Sequence, residues 1–155
     1  MKLIKPSFLI KEQEPGLLGI YKQIEYAGRI CYKSSDKITE NSAKPFVDRM
    51  IKSQHYAMLE HGTVYLKIPT MMCSQKRDYT ELNYEDNPYS SINYDKEGNV
   101  FITTNLRVLV ENGWLDDLKY LCEPTEHHEK RVTVRFTTDR GVSHEFVRHK
   151  LLCVA

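Results

Sequence analysis

The stretch that decides the fold is Val132-Thr-Val-Arg-Phe-Thr-Thr-Asp139, followed directly by Arg140-Gly-Val-Ser-His-Glu-Phe-Val-Arg-His-Lys150. In its first part apolar residues alternate with polar ones, which is typical of a strand that buries one face. Thr138 or Asp139 can accept hydrogen bonds from the free N–H groups of a first helical turn. The sequence therefore predicts a strand that leads at once into a helix.

The predicted helix has one basic face. Arg140, His144 and Arg148 stand four residues apart and so share one side of the helix. Glu145 and His149 form a second pair at the same spacing. Stacked cations repel one another unless an anion lies between them, so this face predicts a partner that carries phosphate or carboxylate groups. A solvated basic face on a surface helix is the alternative interpretation.

Composition indicates one globular domain, residues 1–155, with 41% apolar and 28% charged residues. The net charge of +1 argues against nucleic-acid partners, including the RNA that a small RNA-binding domain would recognise. No apolar run approaches the roughly 20 residues of a membrane span. The N-terminus lacks the pattern of a signal peptide. We therefore expect no membrane association and a cytoplasmic location.

The cysteines and histidines do not indicate a metal site. The four cysteines are widely spread and form no C-x-x-C motif, so reduced thiols are expected rather than a disulfide framework or a zinc site. Cys31 is expected to be a small core residue. The pair His127-His128 lacks further ligands at a metal-site spacing.

Strands and helices are predicted along the rest of the chain without a regular βαβ alternation. The predicted elements are a strand within residues 2–11, a helix from Leu17 to about Tyr32, a helix that begins at Asn41 or Ser42, a strand Thr63–Ile68, a hairpin around Asp95–Gly98, and a helix capped by Asn105 and broken at Gly113. This mixture predicts an α+β fold with a mainly antiparallel sheet flanked by helices.

Three stretches, in this order, resemble the flavin-dependent thymidylate synthases. Ala27-Gly-Arg-Ile-Cys-Tyr32 resembles a helix end in that family, and Met58-Leu-Glu-His-Gly62 resembles the segment in which a Glu-His pair begins a strand. Arg140–Lys150 resembles the helix that opens the family's signature motif. Residues 71–130 match least well and look like an insertion relative to shorter members.

The resemblance implies a fold like that of the thymidylate synthase-complementing proteins. It implies FAD as cofactor, and the conversion of deoxyuridylate (dUMP) into thymidylate (dTMP). Methylenetetrahydrofolate would donate the carbon, and NADPH would reduce the FAD that supplies the hydride. It also implies a homotetramer whose active sites are shared between subunits.

Carried over by position, the resemblance assigns site residues. The residues expected to bind FAD are Arg148, His149, Lys150 and Ala57. The residues expected to bind dUMP are Glu145, Phe146, Val147 and Arg148. His144, Glu60 and His61 are expected to support the site. Lys150 stands where the family usually has Arg, and a lysine cannot make the two-pronged phosphate contact of a guanidinium. Glu145 stands where many members have Gln. Taken alone, a Glu-His pair ahead of a strand is more often a structural hydrogen-bonded pair than a catalyst.

Only the first half of the signature motif is present, because the sequence stops five residues after Lys150. No catalytic residue is therefore assigned, and activity is expected to need a completing segment or a separate chain. A truncation, a split gene and an intein that begins at Cys153 are competing explanations. The alternative function is a non-catalytic nucleotide-binding or assembly module that retains the fold.

Overall fold

The computed structural model describes residues 5–69 and 84–146. The strands are β1 (Ser7–Lys11), β2 (Thr63–Ile68), β3 (Ser91–Tyr94), β4 (Val100–Asn105) and β5 (Thr133–Thr137). The α-helices are α1 (Gly16–Cys31), α2 (Ala43–Lys52), α3 (Leu106–Asn112) and α4 (Arg140–Phe146). Short 3-10 helices occupy Ser35–Lys37, Tyr56–His61 and Leu115–Tyr120. Within these ranges, no helix is both long enough and apolar enough to cross a bilayer.

The strands form two antiparallel sheets. One has three strands in the order β2-β4-β3, and the other pairs β1 with β5. The α+β class and the antiparallel pairing are therefore confirmed, although the strands are divided between two small sheets. The three-stranded sheet buries one face in the core, where Val64, Leu66 and Ile102 meet the apolar sides of the helices.

The helix α1 forms because its apolar residues recur at three and four positions and face the core. Ile20, Ile24 and Ala27 are fully buried, as the spacing predicts. The expectation that Cys31 is a core residue is wrong, because its side chain is exposed. The neighbouring helix α2 packs through Phe46 against Gly28, almost one turn before Cys31, so the last turn of α1 faces solvent.

The strand β4 is the centre of the three-stranded sheet, and all six of its residues are buried. It lies within residues 71–130, so the stretch that matches the family least supplies part of the core. The predicted hairpin is confirmed: Asp95 Oδ1 accepts from the Asn99 N–H at 2.9 Å, and Gly98 has a φ of +81°. The predicted cap is confirmed as well, since the Asn105 side chain accepts from the Val108 N–H at 3.1 Å.

The strand and helix predicted from residues 132–150 are confirmed as far as Phe146. The strand β5 pairs in register with β1, so that Phe136 lies opposite Phe8. Asp139 Oδ1 accepts from the Val142 N–H at 3.0 Å and so caps α4. The ring of Phe146 stacks on that of Phe136 with their centroids 5.0 Å apart. This contact fixes the side of α4 that faces the β1–β5 ribbon.

Candidate functional site

The ends of α1 and of the 3-10 helix Tyr56–His61 pack side by side. A Cβ atom added to Gly28 would lie 2.5 Å from Phe46 Cζ and 3.7 Å from Met58 Sδ, so only glycine allows this close approach. The Tyr32 hydroxyl lies 3.4 Å from His55 Nδ1. The structure therefore brings together two of the three stretches, residues 27–32 and 58–62. Ala57 is exposed beside them.

Glu60 is held by an ion pair that the sequence did not reveal. Arg107 Nη1, at the start of α3, donates to Glu60 Oε1 across 47 positions of the chain. The same guanidinium donates through Nε to Glu111 Oε1 at 2.8 Å. The Arg107–Glu111 pair has the i, i+4 spacing that a sequence can show, whereas its contact with Glu60 depends on the tertiary fold. Glu60 thus has a structural role, which is to join the 3-10 helix Tyr56–His61 to α3 through Arg107.

His61 is an uncharged side chain at neutral pH. Burial lowers its pKa, and this effect exceeds the opposing effect of the neighbouring Glu60 carboxylate. A neutral imidazole donates at one nitrogen and accepts at the other. His61 is therefore suited to hydrogen bonding with a ligand and not to pairing with a phosphate charge.

The residues assigned to the signature helix are only partly described. Glu145 is exposed and Phe146 is half-buried against Phe136. The assigned residues outside the described ones are Val147, Arg148, His149 and Lys150, together with the side chain of His144. The 3-10 helix Tyr56–His61 packs closely on α1, α2, α3 and β4, and within the described residues α4 takes no substantial part in that packing. The described part of the third stretch, residues 140–146, is thus not brought onto the first two.

A second cluster of reactive residue types lies on the outer face of the three-stranded sheet. His128 Nε2 lies 3.1 Å from the Leu66 carbonyl oxygen, which can only accept, and Nδ1 accepts from the Thr125 N–H at 3.0 Å. The proton therefore resides on Nε2. Cys122 Sγ lies 3.9 Å from that same nitrogen, and burial raises the pKa of the thiol. His128 cannot take a proton from Cys122 in this tautomer, so the pair is structural and not an activated nucleophile.

An open hollow of about 540 Å³ lies between β3 and the turn at residues 126–129, away from Ala57, Glu60 and His61. It is lined by Ser91, Asn93, Tyr94, Glu126, His127, His128 and Glu129. Asn93 Nδ2 donates to the His127 carbonyl oxygen at 2.8 Å. Across residues 5–69 and 84–146, no group of three or more His, Cys, Asp or Glu side chains is arranged to hold a metal ion.

The described residues of the two stretches and their neighbours supply several groups that can form hydrogen bonds. Tyr32 and His55 supply a hydroxyl and an imidazole at the junction of the two stretches, and His61 supplies a neutral imidazole. Glu60 is a carboxylate and can only accept, so it suits a sugar hydroxyl or a ring N–H. The cationic residues that would hold the phosphates, Arg148 and Lys150, lie outside the described residues.

The chain matches no protein-family model, no curated protein and no solved structure.

Proposed function

We propose that this chain is a flavin-dependent thymidylate synthase that converts dUMP to dTMP. Methylenetetrahydrofolate is the carbon donor, and NADPH reduces FAD, which supplies the hydride when it is bound. The observation that supports this most is the packing of residues 27–32 against residues 58–62. These two stretches resemble the same family independently, and Gly28, Met58, Tyr32 and His55 bring them into one surface region.

The proposal gives five of the assigned residues a chemical role. Arg148 grips phosphate through two parallel hydrogen bonds, and His149 and Lys150 add further donors. Glu145 accepts from a sugar hydroxyl or from the uracil N–H, because a carboxylate beside the nucleotide phosphate would be repelled. Ala57 contributes its backbone next to the flavin.

The proposed homotetramer is supported by the exposed apolar face of the β1–β5 ribbon. Phe8 and Ile10 are 69% and 54% exposed, and Phe136, opposite Phe8, is 51% exposed. A two-stranded ribbon with one apolar face is only marginally stable by itself in water. Contiguous apolar surface of this kind marks a site of association. Burial of the ribbon between subunits would fit an active site that several subunits share.

The test is flavin binding followed by product formation. Purified protein is titrated with FAD by flavin fluorescence, its solution mass is measured, and dTMP is assayed with dUMP, methylenetetrahydrofolate and NADPH. We expect FAD binding and a tetramer, and any dTMP that is formed should require NADPH. Arg148→Gln should weaken FAD binding at least about tenfold, because it removes a charged two-pronged contact. The matched control Arg49→Gln, an exposed arginine on α2, should leave it unchanged.

One observation favours a second function. Glu60, which the resemblance places at the site, is already engaged by Arg107 in a structural ion pair. A nucleotide-binding or assembly module that keeps the fold without turnover would need Glu60 only for this structural ion pair. The formation of dTMP would exclude the module, which binds FAD or dUMP without turnover.

A further inference from the structure

A smaller cavity lies along the side of α1. It has a volume of about 240 Å³ and is bounded by α1, by the end of β1 and by residues 38–39. None of the described residues that line it belongs to residues 27–32 or 56–61. Its lining side chains include Lys11, Glu12, Lys22, Gln23, Tyr26 and Ile38. The cavity has room for a molecule of the size of an amino acid.

Gln23 supplies this cavity with an amide group that has no partner. The residue is 2% exposed, and its Nε2 atom finds no hydrogen-bond acceptor in the described part of the chain. A buried amide donor without an acceptor costs free energy, and few such atoms occur in folded proteins. The buried carboxylate of Glu25, which also lines the cavity, differs because it already accepts from Arg29 and Ser42. We therefore expect an acceptor from outside the chain beside Gln23.

The walls of the cavity are fixed by contacts within the protein. The side chain of Gln13 forms two hydrogen bonds with the backbone at the start of β2, at 2.8 and 3.0 Å. A Cβ atom added to Gly19 would lie 1.8 Å from the Glu14 carbonyl oxygen, so the chain after β1 lies directly on α1. At the loop, Ser42 Oγ accepts from the Thr39 N–H at 2.8 Å. A preformed cavity of this kind binds a ligand with little cost in ordering.

Charges of both signs line the cavity. Lys22 and Glu14 neutralise each other, since Nζ and Oε2 are 2.6 Å apart. Lys11 forms no ion pair with a described residue, and its Nζ lies 5.6 Å from the centroid of the Tyr26 ring. Glu12 is exposed and also has no cationic partner within residues 5–69 and 84–146. One unpaired cation and one unpaired anion, beside an amide donor, fit a ligand that carries both charges.

We propose that this cavity binds a free α-amino acid with an aliphatic side chain, such as leucine. The ligand carboxylate accepts from Gln23 Nε2 and pairs with Lys11, and the ligand ammonium group pairs with Glu12. The aliphatic side chain contacts Tyr26 and shields Ile38, which is 42% exposed. This inference goes beyond the proposed function and does not depend on it.

The experiment measures the binding of three probes to the full chain by titration calorimetry. The probes are leucine, 4-methylpentanoate, which lacks the ammonium group, and 3-methylbutylamine, which lacks the carboxylate. We expect a dissociation constant for leucine of at most about 1 mM, and binding of each analogue that is weaker by at least about tenfold. The aliphatic part is the same in all three probes, so the difference measures the charged groups.

Four variants assign the contacts. Gln23→Met keeps the length of the side chain and removes the donor, so it should weaken leucine binding by about tenfold without lowering the melting temperature of the ligand-free protein. Lys11→Met should reduce the preference for leucine over 3-methylbutylamine, and Glu12→Gln should reduce the preference for leucine over 4-methylpentanoate. Lys52→Met, at an exposed position on α2, is the matched control and should leave leucine binding unchanged.

Three results would overturn the inference. The first is leucine that does not bind at about 10 mM, or that binds no more tightly than the two analogues. The second is a Gln23→Met protein with a lower melting temperature and unchanged leucine affinity, which would show that a water molecule satisfies the amide. The third is an unchanged preference in both Lys11→Met and Glu12→Gln, and these exposed variants decide the matter if Gln23→Met fails to fold.

Discussion

Replacing Gly28 by alanine should destabilise the protein even though alanine is the better helix former. Gly28 lies in the last turns of α1, where the ring of Phe46 covers its Cα. A Cβ atom there would lie 2.5 Å from Phe46 Cζ and 2.8 Å from Cε1. Carbon atoms that are not bonded pack at about 3.5–4.0 Å, so the ring must retreat by about 1 Å.

The environment of Phe46 resists that retreat. The ring is 2% exposed, and the guanidinium groups of Arg29 and Arg49 lie 4.9 and 5.4 Å from its centroid. Overpacking of a filled core costs about 1–3 kcal/mol, and exchanging glycine for alanine inside a helix returns about 1 kcal/mol. Because the ring is confined on several sides, we expect a net loss of about 1–2 kcal/mol, or a melting temperature lower by about 2–8 °C.

Thermal and urea unfolding would measure the change, with Gly141→Ala as the matched control. A Cβ at Gly141, on exposed α4, would meet only Asp139 Oδ1 at 3.1 Å, so this variant should be neutral or slightly more stable. Adding Phe46→Leu should cost less in the Gly28→Ala protein than in wild type, because the smaller side chain relieves the clash. A Gly28→Ala protein as stable as wild type would refute the close packing of α1 on α2.

Two further predictions concern single side chains. Asn105→Ala should lower the free energy of unfolding by about 1 kcal/mol, because the Val108 N–H loses its acceptor at the start of α3. Asn105→Asp should retain most of the stability, and chemical denaturation of both variants measures the difference. Burial lowers the pKa values of both His128 and His61, so the unfolded chain binds more protons than the folded chain. The free energy of unfolding should therefore fall as the pH drops below about 6.5, and it should level off below the folded-state pKa values. His128→Gln should reduce this pH dependence and leave the share of His61, whereas an unchanged profile would show that His128 is not the buried neutral imidazole described above.

The parts of the fold that were predicted correctly depend on neighbouring residues in the sequence. Asp139 precedes an apolar-spaced run and caps α4, and Asn105 does the same for α3, because each cap depends on residues within one turn. The hairpin at residues 95–98 was equally visible, since a turn depends on the few residues that form it. Features of this kind need no knowledge of the distant chain.

The features that failed or were missed depend on distant contacts. The spacing of α1 marked Cys31 as apolar-facing, but only the position of Phe46 decides where the buried face ends. The sequence shows His61 next to Glu60, whereas the structure pairs Glu60 with Arg107, 47 positions away. The alternation within each strand predicts pairing but does not assign partners. The division of the strands into two sheets could therefore not be predicted from the sequence pattern.

The ion pair between Glu60 and Arg107 is compatible with two roles for this carboxylate. A structural pair requires a carboxylate that is bound by Arg107, and so does a preorganised ligand contact. The two interpretations differ in what happens when the charge is removed and the shape is kept. A structural pair loses stability in Glu60→Gln and has no preference between flavins, whereas a ligand contact changes flavin affinity even where stability is unaltered. Affinity and stability measured on the same variant therefore separate the two interpretations.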